Sequence, residues 1–145
     1  MHCIGELMNP VTIESLAKII DHSLLNPIMT DQVLEEGIET AKKYGVASVC
    51  IKPYFVPRAA ELLKGSGVAV GTVIGFPHGG HTTLVKTQEA RQAISDGASE
   101  LDIVVNIGKV LSEDWQYVEM DLSKVIEICQ ESKAVSKIIF ENCCL

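Results

Sequence analysis

The feature that most constrains this chain is a rhythm. Short, β-branched apolar runs alternate with longer amphipathic stretches along all but its first few residues. Residues 47–51, 68–74 and 101–107 read as strands, residues 137–140 begin another, and the short segment 21–25 brings the count to five. Helices are expected at 31–44, 55–64, 82–96 and 114–131, with a short amphipathic helix over 11–20 and Thr12 as its N-cap. Thr30 and Thr82 stand at helix entries, while Gly45 and Gly97 stand at helix exits. Apolar strands separated by helices require parallel pairing, because each helix is the crossover between neighbouring strands. The expected class is therefore α/β, with residues 1–145 forming a single domain. An open doubly wound sheet would share the rhythm, but the glycine-rich dinucleotide fingerprint after the first strand is missing.

Composition narrows the partners. Twelve basic residues against nineteen acidic ones give a net charge of -7, and no basic stripe is interleaved with aromatics. An acidic surface repels phosphate backbones, which argues against nucleic-acid binding. Five cysteines, at positions 3, 50, 129, 143 and 144, have neither zinc spacing nor an even count. A reduced, cytoplasmic chain without structural disulfides is the expectation. No signal-like leader and no long apolar span occurs, so no membrane partner is expected.

Polar residues at strand ends are where barrel enzymes carry their chemistry. Asp21-His22-Ser23 forms one such segment, Cys50 with Lys52 a second, and the loop 75–81 a third. In residues 101–107 alternation puts Asp102, Val104 and Asn106 on one face and only apolar residues on the other. The apolar face should meet helices, leaving Asp102 to look inward. A carboxylate there is either functional or held in a structural pair. His78 and His81 flank a Gly-Gly turn that could serve as an anion nest, although an ordinary turn into a helix is the simpler reading. His22 reads as a structural histidine. Lys86, near a helix start, and Lys137, at the amino end of a strand, read as surface charges.

The motifs Asp21-His22-Ser23-Leu24-Leu25-Asn26-Pro27, Ala47-Ser48-Val49-Cys50-Ile51-Lys52-Pro53 and Gly71-Thr72-Val73-Ile74-Gly75-Phe76-Pro77-His78-Gly79-Gly80 closely resemble those of deoxyribose-phosphate aldolases. So do Lys86, Glu89-Ala90 and the segment from Gly97-Ala98-Ser99-Glu100-Leu101-Asp102 through Gly108. The likeness runs in order from about residue 18 to the last residue. It implies a (β/α)8 TIM barrel, present here as about five βα units. It also implies a class I aldolase that cleaves 2-deoxy-D-ribose 5-phosphate reversibly to acetaldehyde and glyceraldehyde 3-phosphate. Such enzymes use a lysine Schiff base and neither cofactor nor metal.

By that resemblance Asp102 is the catalytic carboxylate and Asp21 belongs to its supporting polar network. Cys50 lines the substrate site, and Lys52 and Asn106 join it as supporting or substrate-lining candidates. The partner is a small phosphorylated sugar, with homo-oligomerisation left open. The resemblance also locates the Schiff-base lysine in a Val-Lys-Thr-Ser-Thr-Gly-Phe-like motif on a sixth strand, and no such motif occurs in these residues. Lys52 is the best-placed substitute, but beside Pro53 at a strand exit it is better read as solvated or as a phosphate contact. The expectation is a truncated chain, inactive alone, with a non-catalytic half-barrel for assembly or binding as the alternative. A different barrel enzyme acting on a phosphorylated sugar fits the motif set less well.

Overall fold

Helix entries and exits in this chain are written into single residues. The computed structural model describes residues 11–145; Cys3 lies outside them. Thr12, Thr30, Thr82 and Asp114 each accept a backbone N–H two or three residues inside a helix, those of Ser15, Val33, Val85 and Tyr117. These caps open α1 (Ile13–Ala17), α2 (Asp31–Tyr44), α4 (Thr83–Ser95) and α6 (Trp115–Ser132). Between them lie α3 (Val56–Leu62), preceded by the 3-10 turn Pro53–Phe55, and α5 (Ile107–Leu111). Gly45 ends α2 in the left-handed region at φ 60°.

The strands are β1 (Asp21–Leu24), β2 (Ser48–Ile51), β3 (Ala69–Ile74), β4 (Glu100–Val104) and β5 (Val135–Ile139). They pair in parallel in the order β1-β2-β3-β4-β5. A doubly wound sheet would reverse direction partway; this one never does. With right-handed crossovers, every helix that joins two strands then lies on the same face, and the sheet curls away from it. This is the progression of a (β/α)8 barrel over five strands.

Side-chain alternation divides the sheet into two environments. On the outer face Leu24, Val49, Ile51, Val70, Ile74, Leu101 and Ile103 share one buried core with Leu34 and Ile38 of α2, Val56 and Ala59 of α3, Ala90 of α4, and Val125 and Ile128 of α6. The inner face carries Asp21, Cys50, Gly71, Val73, Asp102 and Lys137, as the register dictates: Val73 lies opposite Asp102, and Asp102 opposite Lys137. No described helix is long and apolar enough to cross a membrane.

Four expectations need correction. The helix expected over 11–20 holds only Ile13–Ala17, because the carbonyls of Ala17 and Ile20 accept the Ala47 N–H and so tie this segment to the entry of β2. The strand expected over 101–107 stops at Val104. Asn106 ends the alternation as an N-cap: its side chain accepts the Lys109 N–H and opens α5, which takes Ile107 and Gly108 out of the sheet. β5 begins at Val135, two residues before the expected start, so Lys137 sits in its middle rather than at its amino end. Finally, Lys86 is a core residue. It is fully buried on α4, where its ammonium donates to the Val104 carbonyl at 2.9 Å and to Asp121 Oδ2 of α6 at 2.6 Å.

Candidate active site

Three strands bring their charged residues together on the concave face. Lys137 of β5 is the hub, with its Nζ 2.7 Å from Asp21 Oδ2, 2.9 Å from Glu100 Oε2 and 3.0 Å from Asp102 Oδ1. Asp21 lies on β1 and Lys137 on β5, the two edges of the sheet, so the curl is tight enough for first and last strands to touch through side chains. The surface-charge reading of Lys137 is therefore wrong. Register places it opposite Asp102, and curvature places Asp21 within its reach.

The three contacts are not equivalent. The Asp21 contact is a directed hydrogen bond, and Asp21 Oδ1 accepts a second one from the Ser48 hydroxyl at 2.6 Å. Asp102 is nine-tenths buried, and its Oδ1 lacks any hydrogen bond of acceptable geometry despite the nearby ammonium. The ammonium contact on that oxygen is electrostatic rather than a directed hydrogen bond.

Protonation follows from these neighbours. Burial works against the Asp21 carboxylate, but the hydrogen bonds from Lys137 and Ser48 outweigh it and hold its pKa below the usual range. Burial likewise works against the Lys137 ammonium, and its contacts with Asp21, Glu100 and Asp102 outweigh it, raising its pKa above the ordinary lysine range. Lys137 is thus a fixed cation at neutral pH, not an amine nucleophile. Cys50 lies buried beside Asp102, and burial first, then the charge of Asp102, push its thiol far above the usual range. A neutral thiol there packs against the site rather than attacking anything.

The other candidates stand apart. Lys52 lies one residue past β2; its ammonium donates to the Asn26 carbonyl at 3.0 Å and sits over the Tyr54 and Phe55 rings. Asn106 is occupied as the cap of α5. His78 and His81 are exposed in a turn where the Gly79 N–H bonds the Gly75 carbonyl. Gly79 is required there: at φ 65°, a Cβ would come within 1.9 Å of the Val105 carbonyl oxygen. His22 points to the outer face, where it lines an apolar groove of about 370 Å³ with Ile13, Leu16, Ile20 and Tyr44. Among the described residues no cluster of three His, Cys, Asp or Glu has the geometry to hold a metal ion.

Sequence reasoning read Lys137 as a surface charge and assigned no role of their own to Glu100 and Ser48. A signal was present for the first two. Glu100 and Asp102 alternate on one strand, and Val135, Lys137 and Ile139 alternate on the next, so pairing β4 with β5 puts the charges on a common face. Ser48 gave no signal, since a lone serine at a strand start is unremarkable.

A parallel, sequentially wound βα sheet with a lysine–carboxylate cluster on its concave face defines part of a barrel of the (β/α)8 class. The family described as DeoC/LacD family aldolase matches residues 15–141. Over 130 residues the chain is 53% identical to a deoxyribose-phosphate aldolase of Rhodopirellula baltica, a match covering 90% of this chain and 54% of that protein. A Clostridium perfringens deoxyribose-phosphate aldolase is 47% identical over 91% of this chain and 58% of its own length. The fold superposes with a TM-score of 0.82 on the Aeropyrum pernix deoxyribose phosphate aldolase, described as a unique tetrameric structure, at 32% identity over 90% of this chain and 54% of that one. A second solved structure, the aldolase QR15, gives a TM-score of 0.81 and 37% identity over 86% of this chain and 55% of its own. The chain belongs to the DeoC/LacD aldolase family, and it spans about half the length of the curated relatives it matches.

Proposed function

We propose that this chain supplies the proton-handling half of a class I aldolase acting on 2-deoxy-D-ribose 5-phosphate, releasing acetaldehyde and glyceraldehyde 3-phosphate. One observation carries the reading: the buried carboxylate of Asp102 faces the concave side with its Oδ1 3.0 Å from the Lys137 ammonium. Carbon–carbon cleavage through an iminium needs a base near the departing hydroxyl proton and an acid for the developing carbanion. Asp102 is the carboxylate placed for the first task, and Asp21, Lys137 and Glu100 set the field around it.

None of the lysines placed in or beside the cluster suits the nucleophile. Lys137 is held as an ammonium, Lys86 is buried in a pair with Asp121, and Lys52 is turned to the Asn26 carbonyl. In this reading the Schiff-base lysine comes from strands beyond the five described. The sugar phosphate is the partner, the cytoplasm the compartment, and assembly with further copies is compatible with it.

The test is borohydride reduction of the native protein in the presence of 2-deoxy-D-ribose 5-phosphate. A lysine adduct at the mass of the reduced substrate is expected, and Asp102→Asn should lower kcat by about 100-fold or more without altering the melting temperature. Absence of any trapped adduct, or near-normal turnover in Asp102→Asn, rejects the reading.

A further inference from the structure

Two thiols stand side by side just past the end of β5. Cys143 and Cys144 are both exposed on the 3-10 turn Asn142–Cys144, and their sulfurs lie 3.8 Å apart. Successive residues of such a turn are about 120° apart around its axis, so convergence of their side chains is not the default. Here Glu141 braces the turn twice. It enters in the left-handed region at φ 57°, where its carbonyl accepts the Cys144 N–H at 2.8 Å, and its carboxylate Oε1 accepts from the Cys143 thiol at 2.9 Å.

The pair is poorly placed to become a disulfide. The peptide between the two residues is trans, which sets their Cα atoms about 3.8 Å apart, below the roughly 4.4–6.8 Å that disulfides span. An atom inserted between the sulfurs needs no such closure. Two bonds of about 2.3 Å, the length of a zinc–thiolate bond, span the observed separation at a near-tetrahedral angle. Paired thiolates favour soft centres. A zinc ion would need four ligands, and among the described residues no cluster of three suits a metal. Trivalent arsenic that already carries one organic group needs only two sulfurs. The hydrogen bond to Glu141 first, then the neighbouring thiol, push Cys143 up to about 11, so at neutral pH it is a poor nucleophile toward single-site electrophiles. Cys50 and Cys129 are buried.

We propose that Cys143 and Cys144 form a dithiol binding site for a mono-substituted trivalent arsenical. With phenylarsine oxide, two sulfur–arsenic bonds form as both S–H bonds and the arsenic–oxygen bond break. The oxygen leaves as water with the two protons; arsenic stays trivalent and no sulfur is oxidised. No group of the Lys137 cluster takes part, so the site stands independently of the aldolase reading.

The experiment treats the native protein, reduced with a phosphine, with phenylarsine oxide and reads intact mass and peptide maps. One phenylarsenic group per chain is expected, bridging Cys143 and Cys144, stable to excess monothiol and removed by a small dithiol. Because the second bond closes within the chain, Cys143→Ser and Cys144→Ser should each weaken binding by about 100-fold or more, with melting temperatures unchanged. Cys3→Ser should bind as the unmodified protein does. An adduct mapped to Cys3, Cys50 or Cys129 overturns the proposal. So does one that monothiol strips from the unmodified protein, or one that either serine variant at 143 or 144 retains in full.

Discussion

At the scale of single residues, one lysine and three carboxylates set how the protein responds to pH. Asp21 is depressed in the folded state, so its contribution to stability is present above its unfolded value of about 3.9 and is lost as pH falls through the folded one. Lys137 is raised, so its contribution is complete below the ordinary lysine value of about 10.4 and is lost as pH rises through its own. Stability from this contact thus occupies the window between the two. Urea unfolding measured from pH 2 to 8 should show an acid-side decline that is shallower in Asp21→Asn; parallel curves for the two proteins would contradict the assignment. The inward placement of Asp102 was legible from alternation along one strand. Its electrostatic setting was not, because that depends on which residue of β5 lies opposite and on how far the sheet curls to bring β1 across.

Among elements, the decisive contact joins α4 to α6 and both to the end of β4. Lys86, Ala90 and Ala93 fall at helical spacing on the buried side of α4, and Asp121, Val125 and Ile128 do so on α6. A charge on each apolar stripe is the sequence signature of a buried pair. Read on α4 alone, Lys86 is a charge near a helix start, which is why it was expected at the surface. The pair is satisfied further by the Thr83 hydroxyl, which donates to Asp121 Oδ1 at 2.6 Å, and by the Val104 carbonyl, which accepts from Lys86. Removing one partner strands a charge in the core, so Asp121→Leu should cost about 3–5 kcal/mol in urea unfolding. The double change Lys86→Met with Asp121→Leu should recover most of it. A double variant as unstable as the single one would show that shape rather than charge governs the contact. The same elements explain where the reading of strand β4 went astray. Alternation continues through Asn106, but an asparagine that can cap a helix ends the strand before the pattern does.

For the whole molecule, sequential order of the strands is the property from which the rest follows. It was readable from the βα rhythm and from the resemblance together, whereas the tightness of the curl was not, since curvature is a sum over every strand pair. Among the described residues β1 and β5 each have a strand neighbour on one side only, and such edges recruit further strands. A polypeptide limited to residues 1–145 is therefore expected to self-associate as its concentration rises, read by light scattering after size-exclusion chromatography, and to show no aldolase turnover. A monodisperse, monomeric and active preparation would refute both statements.

The ion pair between Asp21 and Lys137 also bears on the order of events in folding. Its partners are 116 positions apart in the chain, on the first and last of the five described strands. A contact of such sequence separation is expected to form late in folding, so its loss should speed unfolding more than it slows folding. This bond ties the two edges of the curved sheet, and its loss would let the curve relax.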